Sequence, residues 1–192
     1  MSDRFPFPEL AYEFLNSKQI VETEEWDDLK WGEHSHAFTV AHSRNAGVLD
    51  SIFGILTEAM ESGESFQTWK KKMRYIMEEK GWYGRQDKGK DDKDYINWRI
   101  RLIYDTNMRT AYSAGKYRQQ LRGAALRPIL VYKSKLKGAN RREKHKALHN
   151  KAFRYDDPLW DRYYPPNGWG CECYTVSMSE DQARRAGIEI LS

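Results

Sequence analysis

The sequence predicts an α+β fold, with a helix-rich N-terminal half and a compact C-terminal lobe that contains a small β-sheet. Apolar residues recur at helical spacing in three segments before residue 122, whereas strand-like runs appear only later, at 128–132 and 174–178. Between these runs, residues 145–173 combine both cysteines with histidines, prolines and tryptophans, which is typical of a turn-rich element. Hydrophobic residues make up 40% of the 192 residues, which is enough for a buried core.

The N-terminal half consists of predicted helices. A short amphipathic helix is expected over residues 9–18, because alternating prolines hold the preceding residues in an extended form. A second helix over 46–62 is indicated by apolar residues at helical spacing, and the glycine after it ends it. Ser65 then caps a third helix, which Gly81 stops. Residues 1–83 are therefore assigned to a helical N-terminal segment whose two longer helices form an antiparallel pair.

The C-terminal half follows a polar linker. Residues 84–94 contain no large apolar side chain, which predicts a flexible loop and an internal boundary. A long helix is predicted from about Asp94 to Arg122, and residues 95–192 are assigned to the C-terminal lobe. A strand at 128–132, a basic loop, a short helix and a second strand come next. A capping-box pattern that begins at Ser179 predicts a last helix.

The charge is distributed unevenly along the chain. Residues 99–154 carry 16 lysines and arginines against two acidic residues, whereas the segments on either side are acidic. This block favours binding to a polyanion, although internal pairing with the acidic ends is the alternative. No DNA-reading motif accompanies it, so phosphate contact without base specificity is expected. Arg99 and Arg122 belong to the same series along the long helix. The predicted contact residues are Arg101, Arg109, Lys116, Arg118, Lys133, Lys135, Lys137, Arg141, Arg142, Lys144 and Lys146.

Four residues of the turn-rich element are candidate metal ligands. His145 and His149 lie four residues apart, so on a helix both imidazoles project to one side. Cys171 and Cys173 complete a set of two nitrogens and two sulfurs, which suits a structural zinc ion. A disulfide across one intervening residue is strained, so reduced thiols are expected. The alternative is that the cysteines are buried core thiols and the histidines lie at the surface.

The sequence offers little support for catalysis. It contains no nucleophile elbow, P-loop, dinucleotide-binding glycine pattern or metalloprotease motif. A metal-independent RNase could be assembled from His145 or His149, Tyr132 and Arg109, but each residue type has an ordinary structural role. We therefore predict a non-enzyme. No apolar run approaches the length of a membrane span, and the first residues lack a secretory pattern, so a cytoplasmic or intra-particle location is expected.

Several short motifs, in order, carry a family resemblance. They are HAFTVA at 36–41, GESF at 63–66, GWYG at 81–84, RLIYDTNMRTAYSAG at 101–115, HKAL at 145–148, DDPLW at 156–160, YPPNG at 164–168 and CEC at 171–173. Together they resemble the phage Mu F-like minor head protein family, which includes the SPP1-type head morphogenesis proteins. The resemblance covers most of the chain, from about residue 9 to about residue 187.

The resemblance implies a structural role. It implies a minor head protein of a tailed phage or prophage, which acts in head morphogenesis and in DNA packaging or ejection. The portal protein, other head components and double-stranded DNA are the implied partners, with no membrane. The implied location is the virion, in the head interior or near the portal, and the host cytoplasm during assembly.

Three departures from the family pattern limit the resemblance, and two other functions stay open. Glu172 stands where the family often has arginine, Asn150 stands where glycine is expected, and the chain is short. The family supplies no catalytic residue that we can transfer to this chain. The alternatives are a phage-borne, metal-independent RNase or toxin-like domain and a zinc-stabilised nucleic-acid-binding module.

Overall fold

The structure is a computed structural model that describes residues 9–23, 36–84, 92–134 and 142–191. Its architecture is α+β, as the sequence predicts, with the longer helices in the N-terminal half and the larger sheet near the C-terminus. By its internal contacts the chain divides into two units, residues 1–111 and residues 112–192. This division falls inside one long helix. The predicted boundary at residues 84–94 stays a prediction, because residues 85–91 lie outside the described part of the chain.

In the described part of the first unit, three helices precede the long one. They are α1, α2 and α3, at Glu9–Asn16, Ala46–Ser62 and Phe66–Lys80. The side chain of Asn45 fixes the start of α2, because its Oδ1 accepts hydrogen bonds from the first backbone N–H groups, at 2.9 and 3.2 Å. Gly63 and Gly81 end α2 and α3 in the left-handed conformation, with φ of 68° and 62°. The predicted ends of α2 and α3 are thus confirmed, whereas α1 is shorter than predicted.

Aromatic and aliphatic side chains from these helices form the core of the first unit. Trp69 is fully buried, and its ring lies 6.4 Å from that of Phe66 and 5.0 Å from that of Tyr104, between centroids. Two short parallel strands, β1 (Gln19–Ile20) and β2 (Ala37–Phe38), pack against the helices. Each large apolar side chain that is fully buried stabilises the unit by about 1.5–3 kcal/mol relative to exposure.

The long helix α4 spans Lys93–Arg122 and begins one residue earlier than predicted. Asp92 supplies the cap that the sequence pattern did not show, since its Oδ1 accepts a 2.9 Å hydrogen bond from the Tyr95 N–H. At 1.5 Å per residue, its 30 residues extend for about 45 Å. None of the helices in the described residues is both long and apolar enough to cross a membrane.

The second unit is built around a four-stranded sheet. Its strands are β3 (Ile129–Lys133), β4 (Ala152–Arg154), β5 (Tyr174–Met178) and β6 (Ile190–Leu191). Their order is β5-β3-β4-β6, with β3 antiparallel to both of its neighbours and β4 parallel to β6. Alternate side chains of β3 pack on opposite faces of the sheet, Ile129 and Val131 on one and Leu130 and Tyr132 on the other. Strand β3 therefore forms the centre of the unit.

Three short helices also belong to the described residues of the second unit. They are α5 (Glu143–Ala147), α6 (Leu159–Tyr163) and α7 (Glu180–Arg185). The capping box predicted for the last helix is confirmed, because the Ser179 and Gln182 side chains each accept a hydrogen bond from the other residue's backbone N–H. Strands β4 and β6 and helix α6 were not predicted. They have five residues or fewer, which is too short for a periodic pattern.

Candidate metal centre and basic surface

Three side chains of metal-ligating types meet beside β3 in the second unit. The Nδ1 atom of His145 lies 3.6 Å from the sulfur of Cys171 and 3.6 Å from the sulfur of Cys173. The three candidate ligand atoms all lie within 4.8 Å of one another. His145 and Cys171 are buried, and both cysteines are free thiols. The structure thus brings together three of the four ligands predicted from the sequence.

Helix α5 positions the histidine. The residue before the helix, Arg142, donates from Nη1 to the carbonyl oxygen of Asn167 and from Nη2 to that of Trp169, at 2.9 Å each. His145 follows three residues later, and residues at this spacing lie on the same side of a helix. One side of α5 therefore holds the loop before the cysteines and also faces their sulfurs.

The loop that carries the cysteines depends on glycine. Gly168 has a φ of 97° and its carbonyl oxygen accepts a 3.1 Å hydrogen bond from the Cys171 N–H. A Cβ atom at Gly168 would lie only 3.0 Å from Nη1 of Arg142. Two residues later, Gly170 is also left-handed, with a φ of 67°. These positions allow the chain to turn tightly and bring both thiols towards α5, while Glu172 between them is exposed.

Tyr132 and Asn167 surround the sulfur side of the cluster. Tyr132 is fully buried on β3, and its hydroxyl accepts a 3.3 Å hydrogen bond from Nδ2 of Asn167. Burial and a hydrogen bond to Cys173 raise the pKa of the Tyr132 hydroxyl, so it stays protonated. Hydrogen bonding between the two thiols lowers the pKa of Cys173 and raises that of Cys171. Since Tyr132 and His145 also favour the Cys173 thiolate, one proton leaves this sulfur pair readily.

His149 does not join the cluster. Helix α5 ends at Ala147, so the helical spacing that would align the two imidazoles does not continue to His149. Its Nδ1 instead accepts a 3.1 Å hydrogen bond from the backbone N–H of Ser134. The predicted four-residue ligand set is corrected accordingly: within the described residues, no fourth histidine, cysteine or carboxylate belongs to the group.

The predicted basic residues of the first unit are partly paired. Arg101 and Arg109 both contact the Asp105 carboxylate, at 3.2 and 3.5 Å, and both pairs are at least partly exposed. Exposed pairs of this kind contribute about 0–1 kcal/mol, so both guanidinium groups keep capacity for an external anion. Arg99 differs, because it is only 6% exposed and its guanidinium lies 4.9 Å from the centre of the Trp82 ring. Arg99 is therefore a core residue and not a surface contact.

In the second unit the predicted basic residues have different local partners. Lys116 lies over the ring of Tyr174 at 5.5 Å, and Lys133 donates a 2.6 Å hydrogen bond to the side chain of Asn150. Lys146 is 3.8 Å from the Glu143 carboxylate, and two of the five donors of Arg142 bind carbonyl oxygens. The exposed residues among them are Lys116, Arg118, Arg142, Lys144 and Lys146. Three further predicted contacts lie outside the described residues: Lys135, Lys137 and Arg141.

Sequence reasoning missed two roles in this region. Arg142 was interpreted as a phosphate contact, but it also fixes the cysteine loop, and its spacing of three from His145 was the available signal. Asn167 was not singled out, although it follows a diproline and precedes a glycine, where turn residues are common. Its side chain joins Tyr132 to the backbone of Tyr163 through hydrogen bonds of 3.3 and 2.7 Å.

Comparison with known proteins gives a consistent set of relatives. Residues 50–176 match the family described as Phage Mu protein F like protein. The chain is 35% identical over 169 residues to the Mu-like prophage FluMu F protein of Haemophilus influenzae, covering 87% of this chain and 41% of that protein. It is 31% identical over 189 residues to the putative capsid assembly protein F of Escherichia phage Mu, covering 95% of this chain and 43% of that protein. The chain thus spans less than half the length of these relatives, and no solved structure matches it.

Proposed function

Because the chain belongs to the phage Mu F-like protein family, we propose that it is a minor head protein of a tailed phage or prophage that acts in capsid assembly. The observation that carries this proposal is the match over residues 50–176, together with a relative whose name states a role in capsid assembly. The α+β fold is consistent with it. In this role the chain works in the virion head, and in the host cytoplasm while heads assemble.

We extend this proposal to the surroundings of the portal and to packaged DNA. The support is the charge of residues 99–154, where two acidic residues face 16 basic ones. Both acidic residues, Asp105 and Glu143, already contact cations of their own helices, so the carboxylates within this segment are far fewer than its cations. Exposed lysines and arginines bind phosphates, or an acidic protein surface, without reading a base sequence. These basic residues act in DNA packaging and ejection.

The experiment that tests the proposal is incorporation into heads. A tagged copy of the chain is expressed while a phage that encodes a Mu F-like protein assembles, and the heads are separated by sedimentation. We expect the chain to sediment with the heads and to capture portal protein from the lysate. A point variant with a disrupted core, Trp69→Asp, is the control and should stay unassembled. If the intact chain stays with the free proteins and captures no head component, the proposed function is wrong.

The RNase alternative has less support. His145 is 8% exposed and its Nδ1 faces two sulfurs, so it is poorly placed to accept a proton from an RNA hydroxyl. His149 uses its Nδ1 to accept a backbone hydrogen bond. We therefore propose no catalytic residue.

A further inference from the structure

We propose that His145, Cys171 and Cys173 bind one zinc ion through three protein ligands, with water in the fourth position. This inference does not depend on the role in capsid assembly. It rests on the distances between the three ligand atoms, on their chemistry and on the groups that hold them.

The distances favour a shared metal ion over a set of hydrogen bonds. Tetrahedral zinc has zinc–sulfur and zinc–nitrogen bonds of about 2.3 and 2.0–2.1 Å, which places sulfur and nitrogen ligands about 3.5–3.6 Å apart. The two observed separations between sulfur and Nδ1 are both 3.6 Å. A single ring nitrogen makes one directed hydrogen bond, so it cannot hydrogen-bond to both sulfurs with good geometry. All three atoms can instead coordinate a cation that lies between them.

The ligand chemistry selects zinc among the common cations. Thiolates and a neutral imidazole are the ligands that zinc prefers, whereas calcium and magnesium require oxygen ligands. Both sulfurs bind zinc as thiolates, so each proton that the sulfur pair still carries is released when Zn²⁺ binds. The imidazole contributes the lone pair of Nδ1, and no electron is transferred. The buried position of His145 and Cys171 limits competition from water at these ligands.

Neighbouring residues hold the ligands in place. Arg142 clamps two carbonyl groups of the loop before Cys171, and Asn167 orients the hydroxyl of Tyr132. Such supporting hydrogen bonds fix ligand geometry and are a usual feature of metal sites. We assign the fourth ligand position to water because no further histidine, cysteine or carboxylate of the described residues belongs to the group.

The test measures metal content and ligand identity in the full chain. Protein purified without chelator from zinc-supplemented cells is analysed for metals, and we expect about one zinc per chain. Separate Cys171→Ser, Cys173→Ser and His145→Ala variants should each lose at least about tenfold in zinc affinity. His149→Ala is the matched control and should retain zinc, because His149 lies outside the group.

A second measurement guards against variants that fail to fold. The unaltered chain, stripped of metal, is titrated with Co²⁺, which should give the visible absorption of a tetrahedral site and a thiolate charge-transfer band. Hydrogen exchange should show that zinc removal loosens residues 112–192. The proposal is overturned if zinc-supplemented protein contains no metal, if Co²⁺ gives no thiolate band, or if His149→Ala loses zinc as fully as the cysteine variants do.

Discussion

At the scale of single residues, Lys18 shows how burial changes a side chain that the sequence presents as an ordinary cation. It is only 9% exposed, and its ammonium lies 5.2 Å from the centre of the Phe14 ring. Loss of solvation lowers its pKa from 10.5 to about 8. A lysine just after a short helix gives no sign of this, because contacts from other elements bury it.

We predict that the free energy of unfolding depends on pH less in Lys18→Met than in the unaltered protein, because burial lowers the pKa of Lys18 in the folded state. Between pH 8 and 10.5 the folded protein has released this proton while the unfolded chain still binds it, so stability of the unaltered protein rises with pH. The unaltered protein should therefore gain stability relative to Lys18→Met over that range. Urea unfolding at pH 7 and pH 10 measures it. The exposed Lys80→Met is the control, and a difference that does not change with pH contradicts the prediction.

At the residue scale, chemistry pointed to the residues of the cluster, whereas geometry decided which of them lie together. The sequence pointed to His145, Cys171 and Cys173 because few other residue types bind metals. It wrongly grouped His149 with them, because the end of α5 at Ala147 is set by packing and turn geometry and not by a visible stop residue. Asn150, with a φ of 62°, takes the left-handed position there, and its identity alone did not show this.

At the scale of secondary-structure elements, end residues made the helices predictable. Ser65 and Ser179, which the sequence singles out, each accept a hydrogen bond from an N–H group of the helix that they open, and glycines end α2 and α3. Asn45 caps α2 in the same way, although that helix was predicted from its apolar spacing and its terminal glycine. Strands β4 and β6 were not predictable in this way. Strand β4 pairs with β3, and β6 pairs with β4. Each has only two or three residues, which is too few to show an alternating pattern in the sequence.

We predict that Asn45→Ala lowers the free energy of unfolding by about 1 kcal/mol, because two N–H groups at the start of α2 lose their acceptor. Asn45→Ser should retain most of the stability, since serine also caps helices. As a control in the middle of the same helix, Gly54→Ala, at an exposed position, should raise the free energy of unfolding by about 0.5–1 kcal/mol. Thermal and urea unfolding of the three variants measure the effects. Equal stability of Asn45→Ala and the unaltered protein would show that the cap does not contribute.

At the scale of the whole molecule, the charge distribution and family were visible in the sequence, but the division into units was not. Helical spacing continues without interruption through α4, so nothing local marks Ala111 as the last residue of the first unit. That division follows from which residues each half of the helix contacts, and such contacts are not local in sequence.

For DNA binding, we predict that Lys116→Gln combined with Lys144→Gln weakens the affinity equally for two unrelated duplexes. Each phosphate contact that is lost should reduce the slope of log affinity against log salt by about 0.9. Lys71→Gln with Lys80→Gln removes the same charge from the acidic part of the chain and should have little effect. Fluorescence anisotropy at several salt concentrations measures both. If both double variants lose DNA affinity equally, net charge alone is responsible, and Lys116 and Lys144 have no special role.

The order of the strands in the sheet has a consequence during translation. The central strand β3 leaves the ribosome well before β5, its antiparallel partner, and its uncharged residues 129–132 then have no β5 to pair with. An unpaired apolar strand in a nascent chain is prone to aggregate, and flanking charges oppose this. Arg127 and Lys133 occupy these flanking positions, so we expect them to keep the growing polypeptide soluble until its last strands emerge.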